Sequence, residues 1–395
     1  MSRRYGWLRG CLALAVAAQL AACSSVPRIP YTAAEAAVAG VPGIPGARVF
    51  SDASVETFTE MASTPQNKRQ GFSYLALSGG GGDGAYGAGV LNGWSASGTR
   101  PEFSLVSGVS TGSLIAPFAF LGSSYDSYLT DIYTSGIAST LVQSPSVVNV
   151  LFGSGLFGDG RLRNLVGRYV NADLLAAIAA EHAKGRRLLV VTTNLDSQRA
   201  TIWNMGAIAA SGAPNALDLF RDVLTASASI PAVFPPQLID VQAEGRAFQE
   251  LHVDGSVVTP VFTLPQALLL RDKRLATGQK GRIYVIINGR LEPEFDVAQN
   301  NTLAIVGRSF TTASRARSRQ TLAATYAFAR ENGVGFNLTY IPEDGPKLTT
   351  PDGFSTTYMR NLYVAGFERA KTGRFWESTV PAAPLTKAIA SAATR

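Results

Sequence analysis

At 395 residues the chain is long enough for one large domain or two ordinary ones. Its 46% hydrophobic and 16% charged residues exclude a disordered composition and allow a sizeable core. Thirty-five Lys and Arg stand against 28 Asp and Glu, and two Cys exclude a disulfide framework or a thiolate metal cluster.

Arg3, Arg4 and Arg9 precede an apolar run, residues 11–22, that is too short to cross a bilayer as a helix. The run ends Leu20-Ala21-Ala22-Cys23 and resembles a bacterial lipoprotein signal. The expectation is therefore an exported chain: residues 1–22 are removed, and Cys23 becomes a lipidated first residue and membrane anchor. An ordinary secretory signal cleaved near Ala22 is the alternative. Ser24 after the cysteine implies the outer membrane in lipoproteins of this kind. Without the signal arginines, 32 basic residues face 28 acidic ones, a mild balance that calls for no nucleic acid. Residues 24–47, rich in Ala, Pro and Gly, read as a tether within an N-terminal segment, 23–70, and residues 49–67 as adding a short helix.

Residues 71–77 read as a short strand, followed by Ser78-Gly79-Gly80-Gly81-Gly82-Asp83-Gly84 and a helix over 85–94. Strand, glycine loop and helix is also the layout of nucleotide-binding loops. A Walker loop would need Gly-Lys-Ser/Thr, which is missing. Gly79-x-Gly81-x-x-Gly84 fits a dinucleotide fingerprint formally, but no acidic residue closes a second strand about 20 residues on.

The apolar residues Phe103, Leu105 and Val106 read as a strand that breaks at Gly108-Val109-Ser110-Thr111-Gly112, before a helix over 114–121. A strand turning into a helix around G-x-S-x-G is a nucleophile elbow. Gly108 and Gly112 let neighbouring backbone approach while Ser110 projects its hydroxyl. Attack by Ser110 on an ester carbonyl creates an oxyanion, and consecutive glycines in the upstream loop can aim backbone N–H groups at it. Both loops would open on the same edge of a parallel sheet. Pro117 inside the elbow helix should kink it.

Residues 122–172 read as an insertion or lid with short helices. Strands follow at 187–194, 200–205, 248–253, 283–288 and 335–341, with helices at 172–182, 220–227, 302–331 and 356–372. The arginines of the 302–331 helix read as a solvated face, or as a contact with anionic headgroups. The tail after Val380 reads as loose.

Ser110 needs a base, and only His182 and His252 exist. His182 sits at a helix end before Gly185 and reads as a surface residue. His252 lies two residues before Asp254 on one strand, so a Ser110–His252–Asp254 triad would need the histidine to reach a carboxylate running parallel to it. The other option is a dyad, with Asp254 accepting the proton from its position at a strand end before Gly255. A plain Asp-Gly turn is the bland alternative.

Three ordered blocks resemble the patatin-like phospholipase family: Gly79-Gly80-Gly81-x-x-Gly84, Gly108-x-Ser110-x-Gly112, and Asp254-Gly255-Ser256. Residues 226–236 also look like the family's proline-rich segment. The resemblance covers residues 74–259. It implies a three-layer α/β/α domain with a mostly parallel sheet over 71–290, followed by a C-terminal helical and strand extension, 291–395. It further implies a Ser110–Asp254 dyad hydrolysing acyl esters of phospholipid or lysophospholipid, with no metal or cofactor. The oxyanion loop would comprise Gly79, Gly80, Gly81 and Gly84. A general esterase of soluble short-chain esters and a catalytically inactive lipid- or partner-binding lipoprotein remain the rival readings. The chain departs from the family at Asp83, where many members carry Arg or Lys, and at Ser256, usually Gly or Ala.

Overall fold

The computed structural model describes residues 28–62, 71–142, 160–269, 281–295, 297–348 and 353–381. The expected signal, Cys23 and the end of the tail lie outside them. The first half of the chain forms α1 (Ala33–Val38), β1 (Arg48–Phe50), α2 (Val55–Ala62), β2 (Ser73–Leu77), α3 (Gly84–Ala96), β3 (Leu105–Val109), α4 (Thr111–Leu121), α5 (Asp126–Thr134), α6 (Arg161–Tyr169) and α7 (Ala172–Ala183). Then come β4 (Arg187–Asn194), β5 (Arg199–Asn204), α8 (Met205–Ala210), α9 (Ala216–Ser227), β6 (Gln237–Ala243) and β7 (Arg246–Asp254). The last elements are α10 (Gln266–Leu269), β8 (Arg282–Ile287), α11 (Thr302–Asn332), β9 (Gly335–Tyr340) and α12 (Thr356–Lys371).

One sheet runs β1-β5-β4-β3-β2-β8-β9, with the β6–β7 hairpin joined to β4. The five strands from β4 to β9 pair in parallel, and β1, β5, β6 and β7 pair antiparallel at the other margin. The continuous apolar runs of the parallel strands follow from burial on both faces. Leu75, Leu77, Val106, Val190 and Ile286 point into a core shared with α3, α4, α9 and α12. Their neighbours Tyr74, Ala76, Ile283 and Val285 pack under α11, and Val109, Leu189 and Val191 under α2. Each such Leu, Ile or Val contributes about 1.5–3 kcal/mol on burial. The result is the expected three-layer α/β/α arrangement.

Several stretches differ from expectation. Residues 28–47 are not a free tether. Thr32 and Glu35 form a reciprocal cap on α1, Tyr31 stacks on Phe248 at 4.3 Å, and Gly40 bridges Gln242 of β6. Composition alone reported the flexible residues and missed these anchors. Arg48–Phe50 forms an edge strand rather than part of a helix. In the 122–172 stretch, α5 and α6 bury Leu129, Ile132, Leu165 and Val166 in the main core, so the described part is a structural layer; residues 143–159 lie outside the description. The alternating strand β6 was not anticipated.

Helices α3 and α12 pack backbone to backbone. A Cβ at Gly89 would strike the Tyr363 carbonyl, one at Gly93 the Phe367 carbonyl, and one at Gly366 the Tyr86 carbonyl. Gly93→Ala, which helix propensity alone would favour by about 1 kcal/mol, should instead lower stability by about 1–3 kcal/mol through overpacking. Gly167→Ala in α6, where nothing lies within 4 Å of the added Cβ, should raise stability by up to about 1 kcal/mol. Urea unfolding of the two variants checks the contrast.

Candidate active site

The register of β4 brings the site together. Along one edge of β4, Val109 of β3 pairs with Val191, and Asp254 of β7 pairs with the next residue, Thr192. Strand β3 arrives from one direction and β7 from the other, so the end of each faces the end of its neighbour. Ser110 and Asp254, 144 residues apart in sequence, meet there. The Ser110 hydroxyl donates to Asp254 Oδ2 at 2.5 Å, and both residues are buried.

Ser110 adopts φ 54° and ψ −126°, a conformation that costs a non-glycine residue of the order of 1–3 kcal/mol. The surroundings hold it. Its N–H donates to Ser227 Oγ at 3.0 Å, and that hydroxyl donates to the Val191 carbonyl at 2.7 Å. Its carbonyl accepts from the N–H and hydroxyl of Ser113 at 2.8 and 2.6 Å. Gly108 and Gly112 lie outside the left-handed region and are needed for space. A Cβ at Gly108 would lie 2.6 Å from Ser113 Cα, and one at Gly112 2.5 Å from the Leu77 carbonyl. Gly255 likewise abuts the Val191 carbonyl.

Asp254 is positioned by its backbone and its turn. Its N–H donates to the Ser229 carbonyl at 3.0 Å, and its carbonyl accepts from Thr193 Oγ at 3.0 Å. The second carboxylate oxygen, Oδ1, accepts the Ser256 N–H at 2.7 Å. Burial pushes the Asp254 carboxyl up from 3.8 to about 6, against the opposing pull of these hydrogen bonds. Ser227 and Ser229, which bolt the elbow and the aspartate strand to one segment, were not identified from sequence. Their signal was the run of small residues Ala226-Ser227-Ala228-Ser229 ahead of the prolines.

The glycine loop approaches the same place. A Cβ at Gly79 would lie 3.1 Å from Ser110 Cβ. The Gly79 N–H, however, donates to the Pro260 carbonyl, and the Gly84 N–H to the carbonyls of Gly81 and Gly82. Gly79 and Gly84 are therefore corrected from oxyanion donors to close-approach residues. Gly84 clears Thr111 and Tyr133. Among the described residues, the amides of Gly80, Gly81 and Thr111 have no protein acceptor. Thr111 follows the nucleophile at the helix start and was not named as a donor from sequence. The loop is wedged from behind: Gly80 abuts the Asn288 carbonyl, Gly82 the Gly353 carbonyl, and Gly81 sits 3.6 Å from the Phe354 ring in Cβ terms. Asn288 also clasps Ser78 through two hydrogen bonds of 2.7 and 2.8 Å. Asp83 is half-buried, accepts the Tyr358 hydroxyl at 2.7 Å, and is raised by desolvation to about 6.

His252 does not join the dyad. Trp203 Nε1 donates to Thr192 Oγ at 2.8 Å, leaving the Thr192 hydroxyl proton for His252 Nδ1 at 2.8 Å. Nε2–H then donates to Glu250 at 3.1 Å, and Glu250 pairs with Arg48. Burial holds the imidazole neutral by pushing its pKa down. His182 is half-buried against Gly206 and Arg187, not on the surface, and is pushed down to about 4 by burial.

A small apolar pocket of about 20 Å³ lies along the elbow helix, lined by Leu114, Pro117, Phe118, Leu165, Val166 and Leu224 among others. Leu114 is one helical turn from the nucleophile. Among the described residues, no group of three or more His, Cys, Asp or Glu is placed to hold a metal ion, and no helix is long and apolar enough to cross a membrane.

Because the folded carboxyl binds its proton more tightly than the unfolded one, stability from Asp254 is present below about pH 3.8 and lost as pH rises through about 6. Asp254→Asn should therefore raise stability at pH 8 by roughly 2–3 kcal/mol and change it little at pH 3.5, a comparison made by thermal unfolding at the two pH values.

Residues 75–265 match the family model described as patatin-like phospholipase, in keeping with the sheet and helical layers above. No curated protein matches the chain. Among solved structures, VipD from Legionella pneumophila is similar at 12% identity over 79% of this chain and 69% of that one, with a TM-score of 0.33, too low to compare the sites.

Proposed function

From a chain that carries a patatin-like phospholipase domain, we propose a lipid acyl hydrolase that cleaves carboxylic esters of phospholipid or lysophospholipid through Ser110 and Asp254. The observation that carries this reading is the 2.5 Å hydrogen bond from the Ser110 hydroxyl to a buried carboxylate. Asp254 accepts the proton as Ser110 Oγ attacks the ester carbonyl. The oxyanion forms beside the free amides of Gly80, Gly81 and Thr111. Collapse breaks the ester bond, and the leaving alkoxide takes the proton back from Asp254. Water, deprotonated by the same carboxylate, then attacks acyl-Ser110 and releases the fatty acid, and the proton returns to Ser110. A carboxylate is an adequate base here because burial raises its affinity for the proton. The apolar side chains along the elbow helix, Leu114, Phe118 and Val166 among them, would flank an acyl chain as it enters.

The same proposal includes the N-terminus: export, and attachment to the outer membrane through lipid on Cys23. Loss of membrane association in Cys23→Ala, with the signal still cleaved, is its check.

Ser110→Ala and Asp254→Ala should each lower kcat by at least about 10³-fold, whereas His252→Ala keeps substantial turnover and loses stability. In the native enzyme kcat/KM should rise with pH through about 6 and then level, as Asp254 gives up its proton. A fluorophosphonate adduct should form on Ser110 and on no other serine. Retained ester hydrolysis by either alanine variant would remove the mechanism. Val166→Trp should shift preference towards shorter acyl chains in a series of ester substrates, because the indole fills the pocket.

A further inference from the structure

The amides that would receive the oxyanion sit on two separate pieces of chain. Gly80 and Gly81 belong to the turn Gly81–Asp83, which is closed by the Asp83 N–H donating to the Gly80 carbonyl at 3.1 Å. Thr111 opens α4. Each piece must be held from outside, since a donor helps only where it is aimed at the oxyanion. A tyrosine hydroxyl meets each of them. Tyr358, in the first turn of α12, donates to Asp83 Oδ1 at 2.7 Å. On the other side, Tyr133 of α5 shares a hydrogen bond of 2.5 Å with Thr111 Oγ1, and both residues are buried. The two contacts adjoin. A Cβ at Gly84, the residue after Asp83, would lie 2.8 Å from the Tyr133 hydroxyl and closer still to Thr111 Oγ1. The end of the glycine loop therefore rests on the hydroxyl pair that holds Thr111.

The tyrosines are themselves fixed. Asn92 of α3 donates to Thr130 Oγ1 of α5 at 3.0 Å and to the Tyr363 hydroxyl of α12 at 2.8 Å, and Thr130 and Tyr363 share a third bond of 2.8 Å. Arg360 of α12 donates to the carbonyl of Thr134, next to Tyr133, at 2.6 Å. Helices α3, α5 and α12 are thus tied to one another within about two turns of each tyrosine. The segment leading into α12 also backs the loop directly, through Gly353 behind Gly82 and Phe354 behind Gly81.

We propose that Tyr133 and Tyr358 are positioning residues of the oxyanion hole: Tyr133 holds the Thr111 amide through the threonine side chain, and Tyr358 holds the Gly80 and Gly81 amides through Asp83. The proposal rests on the acyl-hydrolase reading above and adds what fixes the two sets of donors relative to each other. It also gives Asp83 a role that needs an acceptor oxygen and not a charge. Arg290, Glu294 and Arg315 act on Asp83 electrostatically as well, so an amide in its place separates the hydrogen bond from the charge.

The test is steady-state hydrolysis of a dissolved short-chain ester by the full chain. Inactivation by a fluorophosphonate is the second readout, because phosphonylation of Ser110 also places negative charge on an oxygen in the hole. Tyr133→Phe and Tyr358→Phe should each lower kcat and the inactivation rate constant about tenfold with KM nearly unchanged, a misaimed donor costing less than a deleted one. Tyr86→Phe, which loses a similar buried hydroxyl bond of 3.0 Å to Thr339 on β9, should keep kcat while losing stability. Asp83→Asn still offers Tyr358 an oxygen and Thr111→Ser still offers Tyr133 a hydroxyl, so both should retain most of the native kcat. Asp83→Ala and Thr111→Val should match the corresponding phenylalanine variants, with no further loss when combined with them. Phenylalanine variants that unfold at lower temperature yet turn over at the native rate would overturn the proposal. So would a raised KM at unchanged kcat, or an Asp83→Asn chain as slow as Asp83→Ala. A native chain that neither hydrolyses the ester nor takes up the fluorophosphonate would instead sink the hydrolase reading, and this proposal with it.

Discussion

The end-to-end meeting of β3 and β7 on one edge of β4 is the constraint on which the site depends. Neither strand alone specifies a catalytic arrangement. Their registers against Val191 and Thr192 do, because successive residues of one strand place Ser110 and Asp254 within a hydrogen bond of each other. Most of the unusual local features serve that junction. The positive φ of Ser110 lifts the hydroxyl out of line with β3. Gly255 makes room for the Val191 carbonyl, and Ser227 links the elbow amide to that same carbonyl. One short stretch of β4 is thus the reference frame for both Ser110 and Asp254.

The burial of Asp254 has two opposed effects. It raises the carboxyl's affinity for a proton, as the proposed base role requires, and it makes the ionised form costly to hold in the fold. Among the described residues no cation offsets that cost near Asp254; its carboxylate is held by the Ser110 hydroxyl and by groups of Ser256. The contrast with its own strand is instructive. Two and four residues earlier, His252 and Glu250 are also buried, yet there Arg48, Thr192 and Trp203 satisfy them as a closed polar network. Alternate positions of one strand therefore carry a satisfied structural cluster and a carboxyl group held with little compensation.

Much of this was legible in the sequence, for identifiable reasons. The parallel strands announced themselves as apolar runs because both faces are buried, and the elbow and glycine loop did so because close backbone approach admits only glycine at Gly108, Gly112 and Gly80. The scarcity of histidine directed attention to Asp254. What escaped was non-local. The N–H of Gly79 is used up by Pro260, 181 residues away, and no spacing rule reveals that. Ser227 and Ser229 resemble ordinary helix-end serines until the strand they bolt is in place. Residues 28–47 looked like a tether because Ala, Pro and Gly dominate, whereas a few anchors such as Tyr31 and Arg28 decide their fate.

The glycine-lined seam between α3 and α12 bears on where the working unit ends. The family match stops at residue 265, yet β8 and β9 complete the sheet beyond β2, and Asn288, Gly353 and Phe354 form the back wall of the oxyanion loop. A fragment cut at the match boundary would expose the edge of β2, strip the cover from α3, and leave the donor amides unsupported. The unit that packs around the Ser110–Asp254 site therefore runs through α12, and the part of the protein that a family pattern recognises is smaller than the part that folds together.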